Sequence, residues 1–382
     1  MPALAIIPAR GGSKGLPRKN VLPFCGLPLI AWTIKAAQEA KTVGRVVVST
    51  DDAEIAEVSL QYDAEVIWRP KEISGDEAPS EAALLHALSS LGVSEGTLAF
   101  LQCTAPLMLP EDIDGTVAAL AQADTAFTAV PWHRFIWKKT AAGGEPVAHS
   151  KTSRPLRQQR EPLFLEVGAV YALDIAGFLT HRHRFFGRVA IHLIDPERSL
   201  EIDDHTDFLL AETLMRRQLN RRRAALLPRA PQALVMDFDG VLTDNRVGVD
   251  EDGKETVVCH RGDGWAISRL REAGLSLLAL TNELNGSVKK RCEKLKIECL
   301  ATSGPKLPVL KDWLRRRDID PGAMIYIGND DPDIPCMQYA ACAVAPSDAA
   351  EGARRIAQIV LETKGGHGCI RELAELLLPG TV

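Results

Sequence analysis

Short apolar runs rich in β-branched residues alternate along this chain with longer amphipathic segments. In the first half, the apolar runs lie at residues 4–7, 45–49 and 97–101. Each run precedes a segment with helical periodicity, at residues 28–40, 53–62 and 110–121. This alternation is typical of βα units, which build a mainly parallel sheet with helices on its faces. The sequence therefore predicts an α/β fold.

The alternation stops at an Arg- and Pro-rich stretch, RRQLNRRRAALLPRAPQ, and then starts again. The new apolar runs lie at residues 233–236, 275–280, 324–327 and 342–345. We therefore expect two tandem α/β domains, each a mainly parallel sheet flanked by helices, over residues 1–225 and 233–382 with a linker at 226–232. The first alternation is lost from residue 131 onward, which predicts an inserted lobe near 131–188 that carries substrate contacts or a subunit interface.

The net charge argues against a nucleic-acid binder. The 382 residues carry a formal charge of −5, with only a local arginine cluster at 216–223. No apolar run approaches the roughly 20 residues of a membrane span, and the first run breaks at Pro8 instead of extending into a signal peptide. The eight cysteines form no CxxC pair. We expect a soluble protein of the reducing cytoplasm, with no nucleic-acid or membrane partner.

Directly after the first apolar run comes PARGGSKGLPRKN, residues 8–20, which is rich in glycine and positive charge. Glycines let backbone N–H groups approach an anion, and Arg10, Lys14 and Lys19 add positive charge. The stretch matches neither GxxxxGK[ST] nor GxGxxG, so the P-loop and dinucleotide-binding interpretations lose support. A phosphate-binding loop is predicted, and a solvated basic turn is the alternative.

Four further stretches follow the loop in order: VVVSTDDAEIAE, WRPKEISGDEAPS, FLQCTAPL and SLEIDDHTDFLLAE. Together with the loop they resemble the cytidylyltransferases that activate sialic acid and related nonulosonic acids, over about residues 3–220. The resemblance implies a Rossmann-like nucleotidyltransferase that uses CTP and Mg²⁺ to convert the sugar acid into a CMP-sugar and pyrophosphate. Activation of KDO is the alternative, and the form SKGLPRKN favours a nine-carbon acid.

This chemistry requires a neutralised triphosphate and two oxygens placed in line. Arg10, Lys14 and Lys19 are the candidate catalytic cations. The loop and two polar residues indicated by the resemblance would bind the nucleotide: Arg10, Gly11, Gly12, Ser13, Lys14, Asn20 and Ser80. By the same resemblance, Gln102 faces the sugar acid and Arg157 pairs with its carboxylate. A solvated surface arginine is the alternative for Arg157.

Glu201 and Asp203, in LEID, point to the same side of an extended segment because side chains alternate with period two. This arrangement suits a Mg²⁺ ion that bridges the triphosphate. The family usually has Asp at position 201, and Asp203 has an alternative role as the cap of a helix at Thr206. Leu165 and Val167 replace the Arg or Asn of many relatives, which leaves the choice of sugar acid open.

The second half opens with ALVMDFDGVLTD, in which Asp237 and Asp239 follow an apolar strand. Two such carboxylates are costly to bury without a cation between them. Together with LSLLALT, GPKLPVL and YIGNDDPDIPCM, the segment resembles the haloacid dehalogenase (HAD) phosphatases over about residues 233–378. The resemblance is strongest to the branch that acts on sugar-acid phosphates such as KDO 8-phosphate.

That resemblance implies Asp237 as the nucleophile and Asp239 as the general acid and base. Thr281 and Lys306 would hold the phosphoryl oxygens. A Mg²⁺ ion would lie between Asp237, the backbone carbonyl of Asp239 and Asp330, with Asn329 where many members have an Asp.

The resemblance also implies that His260, Arg261 and Asp263 line the substrate entrance, and surface salt bridges are the alternative. It implies a homo-oligomer, with a dimer formed through the first domain and a tetramer through the second. The alternative for the second half is a catalytically silent module that serves only this assembly.

Overall fold

The computed structural model describes residues 2–12, 15–75, 77–283 and 286–379. It divides into two compact units, residues 1–217 and 218–382. The domain boundaries proposed from the sequence, at 225 and 233, stay a prediction.

The strands and helices of the first unit follow the predicted alternation. The strands are β1 (Ala3–Pro8), β2 (Pro23–Phe24), β3 (Leu27–Pro28), β4 (Val43–Thr50), β5 (Glu65–Trp68), β6 (Thr97–Leu101), β7 (Thr125–Trp132), β8 (Ile136–Thr140), β9 (Gly143–Val147), β10 (Leu163–Asp174) and β11 (Val189–Leu193). The helices are α1 (Leu29–Glu39), α2 (Ala53–Gln61), α3 (Ser80–Leu91), α4 (Pro110–Ala118), α5 (Ile175–His181) and α6 (His205–Ala224).

Seven of these strands form one sheet in the order β11-β7-β10-β6-β1-β4-β5. All neighbouring pairs are parallel except those of β10, which runs antiparallel to both β6 and β7. Within the segment predicted as an inserted lobe, β8 and β9 form a separate antiparallel hairpin, whereas β10 belongs to the main sheet.

The alternation of side chains along β1 explains why both faces of this sheet are buried. Leu4 and Ile6 enter one apolar cluster with Phe100, while Ala5 and Ile7 enter the cluster on the opposite face. A strand with period-two side chains and helices on both sides has to be apolar at every position. This is why the strand sequences are continuous apolar runs and do not alternate with polar residues.

The second unit has its own six-stranded sheet, in which every neighbouring pair is parallel. The strands of this unit are β12 (Ala233–Met236), β13 (Gly248–Val249), β14 (Glu255–Thr256), β15 (Ser276–Thr281), β16 (Glu298–Ala301), β17 (Met324–Ile327), β18 (Cys342–Ala345) and β19 (Ile359–Val360). Six of them form the sheet, in the order β16-β15-β12-β17-β18-β19, and β13 and β14 form a separate antiparallel pair. The helices of this unit are α7 (Arg261–Glu272), α8 (Gly286–Leu295), α9 (Lys306–Arg317), α10 (Ile334–Tyr339), α11 (Glu351–Ile356) and α12 (Cys369–Leu377).

Both faces of the second sheet are buried in the same way. Leu234 and Met236 enter one apolar cluster, and Ala233 and Val235 enter the other with Trp313. The prediction of two mainly parallel sheets flanked by helices is confirmed. In the described ranges, no helix has both the length and the apolar character to cross a membrane. All eight cysteines are free thiols.

Candidate active sites

The basic loop at residues 8–20 follows the carboxyl end of β1. It forms a hydrogen bond and an ion pair with the two residues that precede α2, Asp51 and Asp52. Gly11 donates its N–H to Asp51 Oδ1 at 3.0 Å. A methyl group on Gly11 would lie 2.6 Å from Asp52 Oδ2, so only glycine fits there without displacing that carboxylate. Arg18 forms an ion pair with Asp52 at 2.8 Å. The Gly11 N–H is therefore already bonded within the protein, whereas the sequence predicted it as a phosphate donor. Two predicted phosphate contacts, Ser13 and Lys14, lie outside the described residues.

The same loop contacts residues 201–203, the segment that contains the predicted metal ligands. Lys19 is 8% exposed, donates its ammonium to the carbonyl of Ile202 and lies 3.8 Å from Asp203 Oδ1. A methyl group on Gly15 would lie 2.0 Å from the carbonyl oxygen of Asp203. The structure thus brings the predicted cation Lys19 close to the predicted metal ligand Asp203, and Gly15 is required for the close approach.

Asn20 supports the loop from within the protein. Its Nδ2 donates to the carbonyl of Arg10 at 3.1 Å, and Cys103 Sγ donates to its Oδ1 at 3.1 Å. Burial raises the pKa of Cys103 to about 11, so the thiol stays protonated and can donate this bond. The amide predicted to contact the nucleotide therefore also fixes the backbone that carries Arg10.

Glu201 and Gln102 meet at a glycine of β10. Glu201 Oε1 accepts the N–H of Gly168 at 2.9 Å. A methyl group on Gly168 would lie 2.7 Å from Gln102 Oε1 and 2.8 Å from Glu201 Oε2. The predicted sugar contact and the predicted metal ligand are therefore neighbours across Gly168. One carboxylate oxygen of Glu201 thus accepts a backbone hydrogen bond. The Asp203 side chain, in contrast, is 83% exposed.

Ser80 and Arg157 lie on two other segments of the first unit. Ser80 is the half-buried first residue of α3, and Arg157 is exposed on the turn 157–159 that follows the β8–β9 hairpin. Two residues that the sequence interpretation missed are Gly168 and Arg69, whose guanidinium donates to the carbonyl of Ser49 at 2.6 Å. Gly168 had a usable signal, because a glycine inside an apolar strand indicates a close approach or a bulge.

The second unit has a buried charge network at the carboxyl ends of β12 and β17. Lys306 Nζ lies 2.7 Å from Asp237 Oδ1 and 2.8 Å from Asp333 Oδ1. Asp333 also accepts the hydroxyl of Tyr326 at 2.8 Å and the N–H of Asn329 at 3.0 Å. The network brings the predicted nucleophile and the predicted lysine into direct contact.

Two carboxylates share one ammonium in this network, and the pKa of Asp237 reflects this. Burial and the nearby Asp333 raise the pKa of Asp237 to about 8, against the lowering effect of Lys306. Burial raises the pKa of Asp239, whose Oδ1 accepts the hydroxyl of Thr243 at 3.1 Å. The two carboxylates that share the Lys306 ammonium leave an excess of negative charge, which a divalent cation would neutralise. The raised pKa of Asp239 suits its predicted role as a general acid.

Asn329, the residue before the predicted ligand Asp330, lies beside Asp237 and Asp239. Metal binding by Asp330 stays a prediction. One end of the Asn329 amide lies 2.9 Å from the carbonyl oxygen of Asp239 and 3.1 Å from Asp237 Oδ2. Asp330 is exposed, and its Oδ1 accepts the N–H of Asp331 at 2.8 Å, because it caps the turn 331–333. Within the described ranges, no three His, Cys, Asp or Glu residues converge as a metal-binding group. The Asp239 carbonyl and the Asn329 amide both lie beside the Asp237 carboxylate, where a cation could use them.

The other predicted residues of this unit have distinct surroundings. Thr281 is buried at the end of β15, and its Oγ1 accepts the N–H of Glu283 at 2.9 Å. Asp263 is 1% exposed, and its Oδ1 accepts the N–H of Arg371 at 3.0 Å at the start of α12. The structure therefore gives Asp263 a capping role, because the residue before α12 is Gly368 and has no side chain to do so.

A cavity opens beside the network. It is lined by Asp239, Asn245, Arg246, Val257, Glu255 and Glu283. The lining combines the Arg246 guanidinium with the carboxylates of Glu255, Glu283 and the predicted general acid, Asp239.

Comparison with known proteins identifies the first unit. The model of the family described as cytidylyltransferase matches residues 4–220. N-acylneuraminate cytidylyltransferase A of Danio rerio is 29% identical over 98% of this chain and 88% of that protein. The N-acylneuraminate cytidylyltransferase of Escherichia coli O18:K1:H7 is 32% identical over 72% of this chain and 65% of that protein.

Two solved structures are similar to part of the chain. A putative HAD family hydrolase from Streptomyces avermitilis is 41% identical, covers 39% of this chain and 86% of its own, and has a TM-score of 0.39. The 3-deoxy-D-manno-octulosonate 8-phosphate phosphatase of Moraxella catarrhalis, in complex with magnesium, phosphate and KDO, is 25% identical over 42% of this chain and 91% of its own, with a TM-score of 0.39. The family match covers more than half of the chain and includes every predicted residue of the first site, so the chain belongs to the cytidylyltransferase family.

Proposed function

We propose that the first unit is an N-acylneuraminate or related nonulosonate cytidylyltransferase, which forms a CMP-sugar and pyrophosphate from CTP and the free sugar acid. The observation that carries the proposal is the contact of the basic loop with the segment 201–203, through Lys19 and Gly15. This contact brings cationic and anionic groups side by side beyond the carboxyl end of β1, where a triphosphate with its cation would bind. The curated relatives named above support the sugar class.

In this proposal, Arg10, Lys14 and Lys19 bind the triphosphate and offset the charge that develops during transfer. Glu201 and Asp203 would hold Mg²⁺, which supplies further charge neutralisation at the phosphates when bound. Gln102 orients the sugar acid, and Arg157 pairs with its carboxylate. The anomeric hydroxyl attacks the α-phosphorus of CTP, its proton goes to solvent or a nearby base, and pyrophosphate leaves.

Pyrophosphate release from CTP tests this function directly. The enzyme would be assayed with Mg²⁺ and, in parallel, N-acetylneuraminate, KDN, legionaminate, pseudaminate and KDO. Release with a nine-carbon acid, lost in Arg10→Ala, supports the proposal. Arg45→Ala is the matched control, because Arg45 pairs with Glu65 on an exposed surface. Release with KDO alone would overturn the choice of sugar, and no release with any acid would overturn the function.

For the second unit, we propose a Mg²⁺-dependent phosphatase of sugar-acid phosphates. Asp237 attacks the phosphorus and forms an aspartyl-phosphate, while Asp239 gives a proton to the departing ester oxygen, which leaves as a sugar hydroxyl. Asp239 then takes a proton from water, which attacks the phosphorus, restores the Asp237 carboxylate and releases inorganic phosphate. Lys306 and Thr281 hold the phosphoryl oxygens. The supporting observation is the direct contact of Lys306 with Asp237 beside a cavity that contains Arg246.

Phosphate release separates this proposal from a silent assembly module. The full chain would be given the 9-phosphate of a nonulosonic acid or KDO 8-phosphate, with Asp237→Asn as the test variant. Asp312→Asn is the control, since Asp312 pairs with arginines on the surface of α9. Loss of release only in Asp237→Asn, with an unchanged mass by light scattering, supports catalysis. No release by the unmutated protein would support the assembly role.

We further propose that the protein acts in the cytoplasm as a homo-oligomer, with a dimer formed through the first unit and a tetramer through the second. The eight free thiols support a reducing compartment. Light scattering of the full chain tests the oligomer, and cell fractionation tests the location.

A further inference from the structure

The amide of Asn329 lies at the centre of the second site in an unusual position. Asn329 is 7% exposed, and its own N–H is fixed by Asp333 Oδ2 at 3.0 Å. One end of its amide is within 3.1 Å of two oxygens, the Asp239 carbonyl and Asp237 Oδ2. Gly240, with φ of +78°, makes room, because a methyl group there would lie 2.0 Å from the other end of the amide.

The two ends of a carboxamide have nearly the same shape and opposite hydrogen-bonding roles. With the nitrogen turned inward, Asn329 donates to both the Asp239 carbonyl and Asp237 Oδ2, so the site is satisfied without any cation. With the oxygen turned inward, the Asn329 amide oxygen lies 2.9 Å from the Asp239 carbonyl oxygen and 3.1 Å from Asp237 Oδ2. Three oxygens then converge on one point. Octahedral Mg²⁺ with oxygens at about 2.1 Å holds adjacent ligands about 3 Å apart, so this second orientation matches its geometry.

We propose that Asn329 is an invertible ligand: its carbonyl oxygen binds the divalent cation, and its amide nitrogen replaces the cation when the site is metal-free. The use of the cation in catalysis rests on the proposed phosphatase function, but cation binding itself does not. An aspartate at this position could not do the same, because it has no donor for the metal-free state and would place a third acceptor against two others. A neutral ligand also attracts the cation less than a carboxylate does.

Calorimetric titration of the full chain with Mg²⁺ alone, without nucleotide, measures this binding. Binding that survives in Asp237→Asn belongs to other sites and is subtracted. Asn329→Asp is expected to bind Mg²⁺ about tenfold more tightly and, without metal, to melt at a lower temperature than the unmutated protein. Added Mg²⁺ should remove that difference in melting temperature. Asn329→Ala, which loses both roles, should bind Mg²⁺ at least about tenfold more weakly.

Asp330→Asn provides the opposing test, because Asp330 is the ligand implied by the family resemblance. If Asp330→Asn abolishes Mg²⁺ binding while Asn329→Ala leaves it unchanged, the assignment to Asn329 is wrong. An equal metal-free melting temperature for Asn329→Asp and the unmutated protein would overturn the inverted, metal-free state. If Asn329→Asp does not fold, Asn329→Ala and Asp330→Asn still decide which residue is the ligand. Mg²⁺ binding without any phosphate release would leave this inference standing and overturn only the phosphatase function.

Discussion

Gly168 shows how a single missing side chain can join two functional residues. It lies on β10, where its N–H binds Glu201 and its bare Cα faces Gln102. Any side chain here would push at least one of these two groups away from the proposed sugar site. Displacements of this size in a packed region cost about 1–3 kcal/mol.

We therefore expect Gly168→Ala to lower kcat/KM for the sugar acid at least about tenfold, mainly through a higher KM, since Gln102 is displaced. The KM for CTP should change much less. Steady-state pyrophosphate release at varied sugar and varied CTP measures both. Gly286→Ala is the control, because a methyl group there meets no atom within 4 Å. An unchanged KM for the sugar would contradict the proposed position of Gln102.

The pair Glu81–Arg184 predicts a pH-dependent contribution to stability. Glu81 is 8% exposed and accepts two bonds from Arg184, at 2.7 and 3.3 Å. Burial alone raises the pKa of Glu81, but the hydrogen bonds and charge of Arg184 bring it below its ordinary value of 4.5. A lowered pKa in the folded state stabilises the fold above pH 4.5, and this stabilisation is lost as the pH falls through the folded-state pKa.

Glu81→Gln should thus reduce the free energy of unfolding by about 2 kcal/mol at pH 7, and this loss should become smaller as the pH falls below 4.5 and through the lowered folded-state pKa of Glu81. Denaturant titrations at several pH values provide the measurement. Glu65→Gln breaks the exposed pair with Arg45 and should cost less than about 1 kcal/mol. Equal losses for the two variants, or a loss for Glu81→Gln that does not change with pH, would refute the argument.

At this scale, the sequence predicted the residue types that carry charge but not their partners. Lys19 was selected from the basic loop and Asp237 from a pair of acidic residues after an apolar strand, whereas Lys306 came only from the family resemblance. The roles of all three stay predictions. The roles of Asn20, Gly168 and Asn329 depend on contacts with residues far away in the chain. Local spacing contains no information about such contacts, so the partners of these three residues could not be predicted from it.

At the scale of elements, each of the seven strands and three helices predicted from periodicity is present within a few residues of its expected bounds. The helix predicted at 53–62 spans Ala53–Gln61, and the strand predicted at 233–236 matches β12. The strand order and the antiparallel β10 were not predicted, because side-chain alternation is identical in parallel and antiparallel strands. The capping of α12 by Asp263 was also missed, since the cap comes from a residue about a hundred positions earlier.

That cap leads to a prediction about helix α12. Asp263→Ala removes the acceptor for the Arg371 N–H and should destabilise the second unit by about 2 kcal/mol. Asp263→Asn keeps an acceptor oxygen and should recover most of this loss, as followed by thermal or denaturant unfolding. Asp320→Ala is the control, because Asp320 caps an exposed turn through the Gly322 N–H and should cost about 1 kcal/mol or less. A similar loss in Asp320→Ala and Asp263→Ala would argue against a special role for the buried cap.

At the scale of the whole molecule, each proposed reaction uses residues of one unit only. The residues of the first proposed site lie between Arg10 and Asp203, and those of the second between Asp237 and Asp333. The restart of the βα alternation at residue 233 was sufficient to predict two sheets. Their fusion in one chain suggests an order of chemistry, since a phosphatase that acts first would supply the free sugar acid that the cytidylyltransferase consumes.

A mixture of CTP, Mg²⁺ and a nonulosonic acid 9-phosphate tests that order. The unmutated protein should release phosphate first and pyrophosphate after it, because water must remove the phosphate before the free acid is activated. Asp237→Asn should form CMP-sugar from the free acid but not from the 9-phosphate. Arg10→Ala should release phosphate from the 9-phosphate and form no CMP-sugar, and mixing the two variants should restore the full sequence. If Asp237→Asn makes CMP-sugar from the 9-phosphate at the unmutated rate, the phosphatase does not precede activation, and the two reactions are not consecutive steps.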